Sequence, residues 1–300
     1  MIYLRTVFLV VLAFNFLVPA QGICDNSSFD RFIKPVSNPV YLDDPRNETY
    51  IHVVHVLQNL PSRVHTELGS LPLNGRLNLT ALRITYALND RFSLIAGKDG
   101  YIDFDPDSTL DDSSGWGDIQ AGAKYAFIHN PDQEFILSGK LLFEFSQGSR
   151  DVFQGNGDGN VAPSISFLKG IEKLQLVGTL GGILPFNHNQ ESTLLYQGWH
   201  ASYALTEKFR PLVELNHFMT VREGNREELV ASIAKFEGGD VINLGSQNGM
   251  DHRNFVSMAW GCRYRCMDYM DMGIAYEYPL SGNHNGLMDN RITFDLVFHF

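Results

Sequence analysis

The chain has 300 residues and a formal charge of −11, and its charged fraction of 19% lies below the roughly 25% of an ordinary soluble domain. So acidic a balance, with no basic run between its aromatics, repels a phosphate backbone, and nucleic acid is excluded as a partner. Aromatics are abundant (Phe 21, Tyr 12, Trp 3) although the hydrophobic share is an ordinary 44%, so they serve something other than one large oily core.

Residues 1–22 read as a secretory signal: Arg5 precedes an apolar run over 7–17, broken only by Asn15, and small residues follow at Ala20 and Gly22. Cleavage after Ala20 and cleavage after Gly22 fit equally. Beyond that point no apolar run approaches the length of a membrane-spanning helix. Residues 23–48, rich in Pro, Asn and Asp, read as an irregular periplasmic segment leading into the rest. Cys262 and Cys266 are four apart in a candidate strand, about 13 Å at ~3.3 Å per residue, too far for a disulfide or a shared metal. No metal and no cofactor is expected.

From about residue 49 to residue 300 the dominant period is two. Over 117–128, Ile119, Ala121, Ala123, Tyr125 and Phe127 alternate with Asp118, Gln120, Gly122 and Lys124. Over 134–147, Phe135, Leu137, Leu141, Phe143 and Phe145 alternate with Ser138, Lys140, Glu144 and Ser146. The rule gives twelve strands at about 50–58, 76–88, 91–102, 117–128, 134–147, 160–169, 173–184, 193–205, 209–221, 253–266, 271–280 and 290–300. Their connections alternate between long and short, which a soluble sandwich has no reason to maintain. An outer-membrane barrel does, with short periplasmic turns, long external loops and both termini periplasmic when the strand number is even. The expected fold is therefore all-β, a transmembrane barrel of about 12 antiparallel strands over 49–300. Tyr86, Phe92, Phe127, Phe135, Tyr203 and Phe209 lie beside the short turns, where an interfacial aromatic girdle belongs. Outer-membrane lipid and lipopolysaccharide are the expected surroundings.

The runs 86–95 (YALNDRFSLI), 98–101 (KDGY), 117–119 (GDI) and 122–125 (GAKY), with 156–160 (NGDGN) leading to 163–166 (PSIS), resemble the outer-membrane family of porin-like transporters labelled "MetA-pathway of phenol degradation". The similarity covers roughly 75–300 and its motifs mark strands and turns, so no functional residue carries over. It implies a channel for passive uptake or efflux of small solutes, apolar or aromatic ones among them. The terminal Phe300 resembles the signal by which the barrel assembly machinery recognises its clients.

Alternation turns Arg83, Lys124, Lys140, Glu144, His200, Glu214, Arg263, Arg265, Glu277, Arg291 and Asp295 inward, and these are the candidate lumen-lining residues. Twelve strands fall between the eight that side chains fill and the sixteen that leave a wide channel, so a narrow, polar lumen with partly paired charges is expected. In the longest loop, 222–252, Asn225 with Glu228 reads as a capping box, with Leu229, Ile233 and Phe236 at helical spacing. That helix fits a constriction or a place on the rim. An alternative reading is a lipid hydrolase similar to the outer-membrane lipid A deacylases, with His200, Ser202 and Glu214 as base, nucleophile and orienting acid. The Tyr203-Ala204 that follows, the inward face and the short turn depart from that pattern, and no enzyme is expected. A third alternative is a structural surface protein with a plugged lumen. Asp103, Asp105 and Asp107 echo a calcium loop, but Ser108 and Ser114 stand where Gly and Glu are needed.

Overall fold

The computed structural model describes residues 29–282 and 285–300. The signal reading of 1–22 and the start of the periplasmic segment, 23–28, lie outside the described residues.

The strands in chain order are β1 (Tyr50–Asn59), β2 (Arg63–Thr66), β3 (Gly69–Pro72), β4 (Arg76–Asn89), β5 (Phe92–Asp105), β6 (Ser113–Trp116), β7 (Ile119–Asn130), β8 (Phe135–Phe145), β9 (Asn160–Ile171), β10 (Leu174–Pro185), β11 (Thr193–Tyr203), β12 (Phe209–Arg222), β13 (Asn254–Met267), β14 (Met270–Pro279) and β15 (Asn290–His299). Twelve of them, all but β2, β3 and β6, form one antiparallel ladder in which β1 pairs with both β4 and β15. The sheet therefore closes on itself. Closure leaves no unpaired edge, which is the condition for strands to stand in hydrocarbon. Each of these twelve begins and ends within three residues of its expected bounds.

Alternation along the ladder gives the barrel two chemically different faces. Leu180, Leu141, Phe143, Trp199, Trp260 and Tyr276 are exposed on the outside, while the residues between them are buried. Where a bulge interrupts the register between Ala126 and Ile128, Phe127 and Ile128 both face outward, as an extra unpaired residue requires. The outer face is an apolar band around a closed sheet, the surface a bilayer accepts.

At the long-loop end, β2 and β3 form a hairpin, and α1 (Leu229–Ile233) leans on it through a bridge between Thr66 and Ala234. The expected helix starts later than its capping signal: Glu228 occupies the N-cap position, and no side chain caps it. Leu73, Phe104, Val152, Phe236, Ile242 and Leu244 pack beneath it as an apolar lid core. The helix thus sits on the rim, and a different part of its loop turns inward.

Residues 29–48 depart from the sequence expectation in place rather than in form. They are irregular, as expected, but they run inside the barrel instead of preceding it as a periplasmic segment: Phe29, Phe32, Ile33, Val36, Tyr41 and Leu42 are all buried. They enter beside the short turns, rise to Asn38 and return to Tyr50 at the start of β1. Phe29, Phe32 and Leu42 pack on Ala126, Ile136, Leu168 and Val177, and Ile33 and Val36 on Leu212, Ala259 and Ala275. Glycine makes room for them. A Cβ on Gly170 would come within 2.4 Å of Phe32, and one on Gly198 within 2.9 Å of Leu42.

Leu180, mid-strand on β10 and 57% exposed, tests the orientation of the faces. Leu180→Arg is expected to destabilise the folded barrel in vesicles by about 2–4 kcal/mol in urea titrations; an unchanged midpoint would mean that this face does not meet lipid.

Candidate functional site

The lumen is a concave surface that the fold assembles from twelve strands, and in this structure residues 29–48 fill it. At mid-height Lys124 is 1% exposed and both Gln175 and Glu214 are 0% exposed, so no water-sized passage reaches them. We call residues 29–48 the plug. It adds no strand to the sheet and is held through side chains, among them three clusters.

The first is Asp43. Its Oδ1 lies 2.6 Å from Arg83 Nη2 on β4 and 3.5 Å from Lys140 Nζ on β8, and its Oδ2 lies 3.4 Å from Lys124 Nζ on β7. The second is Glu214 on β12, whose Oε1 accepts the Val36 amide at 2.9 Å and whose Oε2 accepts the Ser37 amide at 2.7 Å. His200 Nδ1 on β11 stands 2.7 Å from the same Oε1. The third is Arg263 on β13, which donates to the Lys34 carbonyl at 3.0 Å and to Asp295 on β15 at 2.6 Å, while His52 Nε2 lies 2.7 Å from Asp295. Gln175 on β10 adds a two-way contact, accepting the Ile33 amide at 2.8 Å and donating to the Ile33 carbonyl at 2.7 Å. Such pairing satisfies backbone groups that burial outside a sheet would otherwise orphan.

The plug also carries its own compact charge set. Lys34 lies 3.2 Å from Asp44 and 2.7 Å from Glu48, and Arg46 lies 2.6 Å and 2.8 Å from the same two acids. Two cations meet two anions, so this set is balanced within itself. Asp43 is left to serve the wall.

From above, the 222–252 loop reaches down to the same lumen. Asp240 grips Arg291 on β15 with both oxygens at 2.7 Å and accepts Asn38 Nδ2 at 3.0 Å. Arg291 also lies 3.4 Å from Glu277 on β14. Behind Asp240, Glu237 orders the loop by accepting the Ser192 hydroxyl and the Leu244 and Ser246 amides. Burial pushes its carboxyl above the ordinary glutamate value, against these hydrogen bonds.

Ten of the eleven lumen-lining candidates are therefore buried inside the barrel: Arg83, Lys124, Lys140, Glu144, His200, Glu214, Arg263, Glu277, Arg291 and Asp295. Glu144 bonds Gln120 and Asn160. Arg265 is the exception, standing part-exposed near the short turns, where it meets Asp271 and the Asp30 carbonyl. His200, Ser202 and Glu214 are neighbours, but the Ser202 hydroxyl donates to Gln175 at 3.3 Å and His200 turns Nδ1 to Glu214. The serine lacks the bond to a base that nucleophilic catalysis requires, and the plug covers all three. Among the described residues no cluster of three or more His, Cys, Asp or Glu side chains could hold a metal ion.

The plug and Asp240 were missed from sequence. Two signals pointed to them: the apolar residues Phe29, Phe32, Ile33, Val36, Val40, Tyr41 and Leu42 are too many for a solvated lead-in, and the eleven candidates hold six cations against four acids. Asp43 meets Arg83, Lys124 and Lys140, Asp240 meets Arg291, and Asp271 meets Arg265 near the short turns.

No protein-family model matches the sequence, and no curated protein sequence matches it. Among solved structures the fold is similar to an outer membrane channel from Pseudomonas putida F1, 16% identical over 89% of this chain and 100% of that one, with a TM-score of 0.64. It is also similar to the NanC porin, 10% identical over 83% of this chain and 100% of that one, with a TM-score of 0.53. At such identities the likeness is one of fold. The closed twelve-stranded antiparallel sheet with an apolar exterior has the architecture of outer-membrane β-barrels.

Glu214→Ala leaves the Val36 and Ser37 amides without their acceptor. The expected result is exchange of those amides faster by roughly 10- to 100-fold in hydrogen-exchange mass spectrometry, with the β15 amides unchanged; equal protection in both proteins would show that Glu214 does not hold the plug.

Proposed function

We propose that this protein is a channel of the bacterial outer membrane for small solutes, held closed by residues 29–48. The observation that carries the reading is the manner of closure. The barrel's ladder is complete without the plug, and the plug is fastened through side chains, so it can leave while the wall remains intact. A structural filler of a permanently closed barrel has no need of such separability. Similarity of fold to two outer-membrane pores supports the same reading.

In this account the barrel is embedded in outer-membrane lipid and lipopolysaccharide, with its short turns and both termini in the periplasm. The aromatic Phe300 engages the barrel assembly machinery. The ten candidates buried inside the barrel then line the route, with charge and width selecting the solute. The resemblance to the phenol-degradation family adds apolar or aromatic molecules as the expected cargo. The apolar patches that the plug covers, Ile136, Leu168 and Val177 among them, would meet such molecules once it moves.

Planar bilayers provide the test. The full chain is expected to conduct in rare, small steps, and a chain lacking residues 29–48 in large, long-lived ones. If both fold, as judged by heat-shifted gel mobility, and neither conducts or admits solute into liposomes, the channel reading falls and a structural role takes its place.

A further inference from the structure

Three cations of the lumen wall converge on one carboxylate of the plug. Arg83, Lys124 and Lys140 project from β4, β7 and β8, along one arc of the barrel, and all three lie within 3.5 Å of Asp43. They are 6%, 1% and 4% exposed. Each also donates to a plug carbonyl: Arg83 to Pro39, Lys124 to Asp44 at 2.5 Å and Lys140 to Val40 at 2.7 Å. The Nε of Arg83, buried as well, has no partner.

The opposite arc is mixed in charge, with Arg263 and Arg291 among Glu214, Glu277 and Asp295. There Glu214 receives plug amides, and Asp295 pairs with Arg263. The plug thus turns two amides to Glu214 and the Lys34 carbonyl to Arg263 on that arc, and gathers the Asp43 carboxylate and three carbonyls against the cationic cluster. Removing the plug would leave three mutually repelling cations in a narrow, poorly screened space. An opening step stabilised by an incoming anion avoids that penalty, and a guanidinium beside two ammonium groups suits a carboxylate.

We propose that Arg83, Lys124 and Lys140 form a carboxylate-binding site on the solute route, which Asp43 fills as a built-in ligand in the closed state and a carboxylate-bearing solute takes over on opening. The assignment of the route rests on the channel reading; the site itself does not. An organic anion competes with Asp43 and so favours the open state, whereas a neutral or cationic solute of the same size has no such leverage.

The test uses acetate as the probe and the full chain in detergent, with unfolding followed by heat-shifted gel mobility in sodium acetate against sodium chloride at equal ionic strength. Asp43→Ala is expected to unfold below the wild type in chloride. Acetate should raise its midpoint saturably, by roughly 2–4 °C, while the wild type, whose site is filled, does not respond. Adding Lys124→Gln and Lys140→Gln should remove the acetate response. Should Asp43→Ala not assemble in chloride, recovery of its refolded yield in acetate is the same positive result. Equal behaviour in the two salts, or an acetate response that survives loss of both lysines, overturns the proposal. This readout needs no conduction, so an acetate-responsive protein that is silent in bilayers would refute the channel and leave the site standing.

Discussion

The structure depends on one constraint: a sheet in hydrocarbon must satisfy every backbone amide and carbonyl within itself. Twelve strands meet it by closing β1 onto β15 and β4. Closure with a period of two commits half of the side chains to lipid and half to the interior, so the polar residues have nowhere to go but inward. Everything notable about the lumen follows from that enforced concentration of charge.

A narrow lumen cannot keep five cations and four acids unpaired, because buried charge is tolerated only with partners. The plug answers several of these demands with a side chain or a backbone group. Asp43 meets the cationic arc, the amides of Val36 and Ser37 meet Glu214, and the carbonyl of Lys34 meets Arg263. Asp240 from the long loop closes on Arg291 and on Asn38 of the plug. The long loop and the plug therefore meet in one network, so movement of either disturbs the other. Apolar packing of Phe32 and Leu42 against inward residues supplies non-directional cohesion, while the polar contacts fix register.

The sequence made the barrel legible because alternation is a local signal, repeated along each strand and reinforced by alternating loop lengths. The inward residues were legible for the same reason. The plug was not, because an irregular segment has no period, and its contacts join residues far apart in the chain, as Val36 joins Glu214. What alternation did contain was an anomaly: Ile136, Leu168, Val177 and Leu212 turn apolar side chains into an interior expected to be polar. Such residues gain nothing from facing water, and they mark where the plug lies. Helix α1 came out shorter than its capping pattern: Asn225 is exposed in the irregular stretch before it, and the bridge from Ala234 to Thr66 ties its end to the β2–β3 hairpin.

The central claim is that residues 29–48 are a movable closure of an otherwise open barrel. The most direct measurement is conduction with that segment tied reversibly to the wall. Ser37 and Asn216 touch, with Oγ and Nδ2 3.0 Å apart, so cysteines at these two positions, in a chain whose native cysteines are replaced, are to be joined directly or by a short disulfide-containing crosslinker that ties the plug to β12. The account predicts silence in planar bilayers while the disulfide is intact and openings when a reductant is added, reversed on reoxidation. Equal conductance in the oxidised and reduced states, with the bridge verified by mass spectrometry, would contradict it.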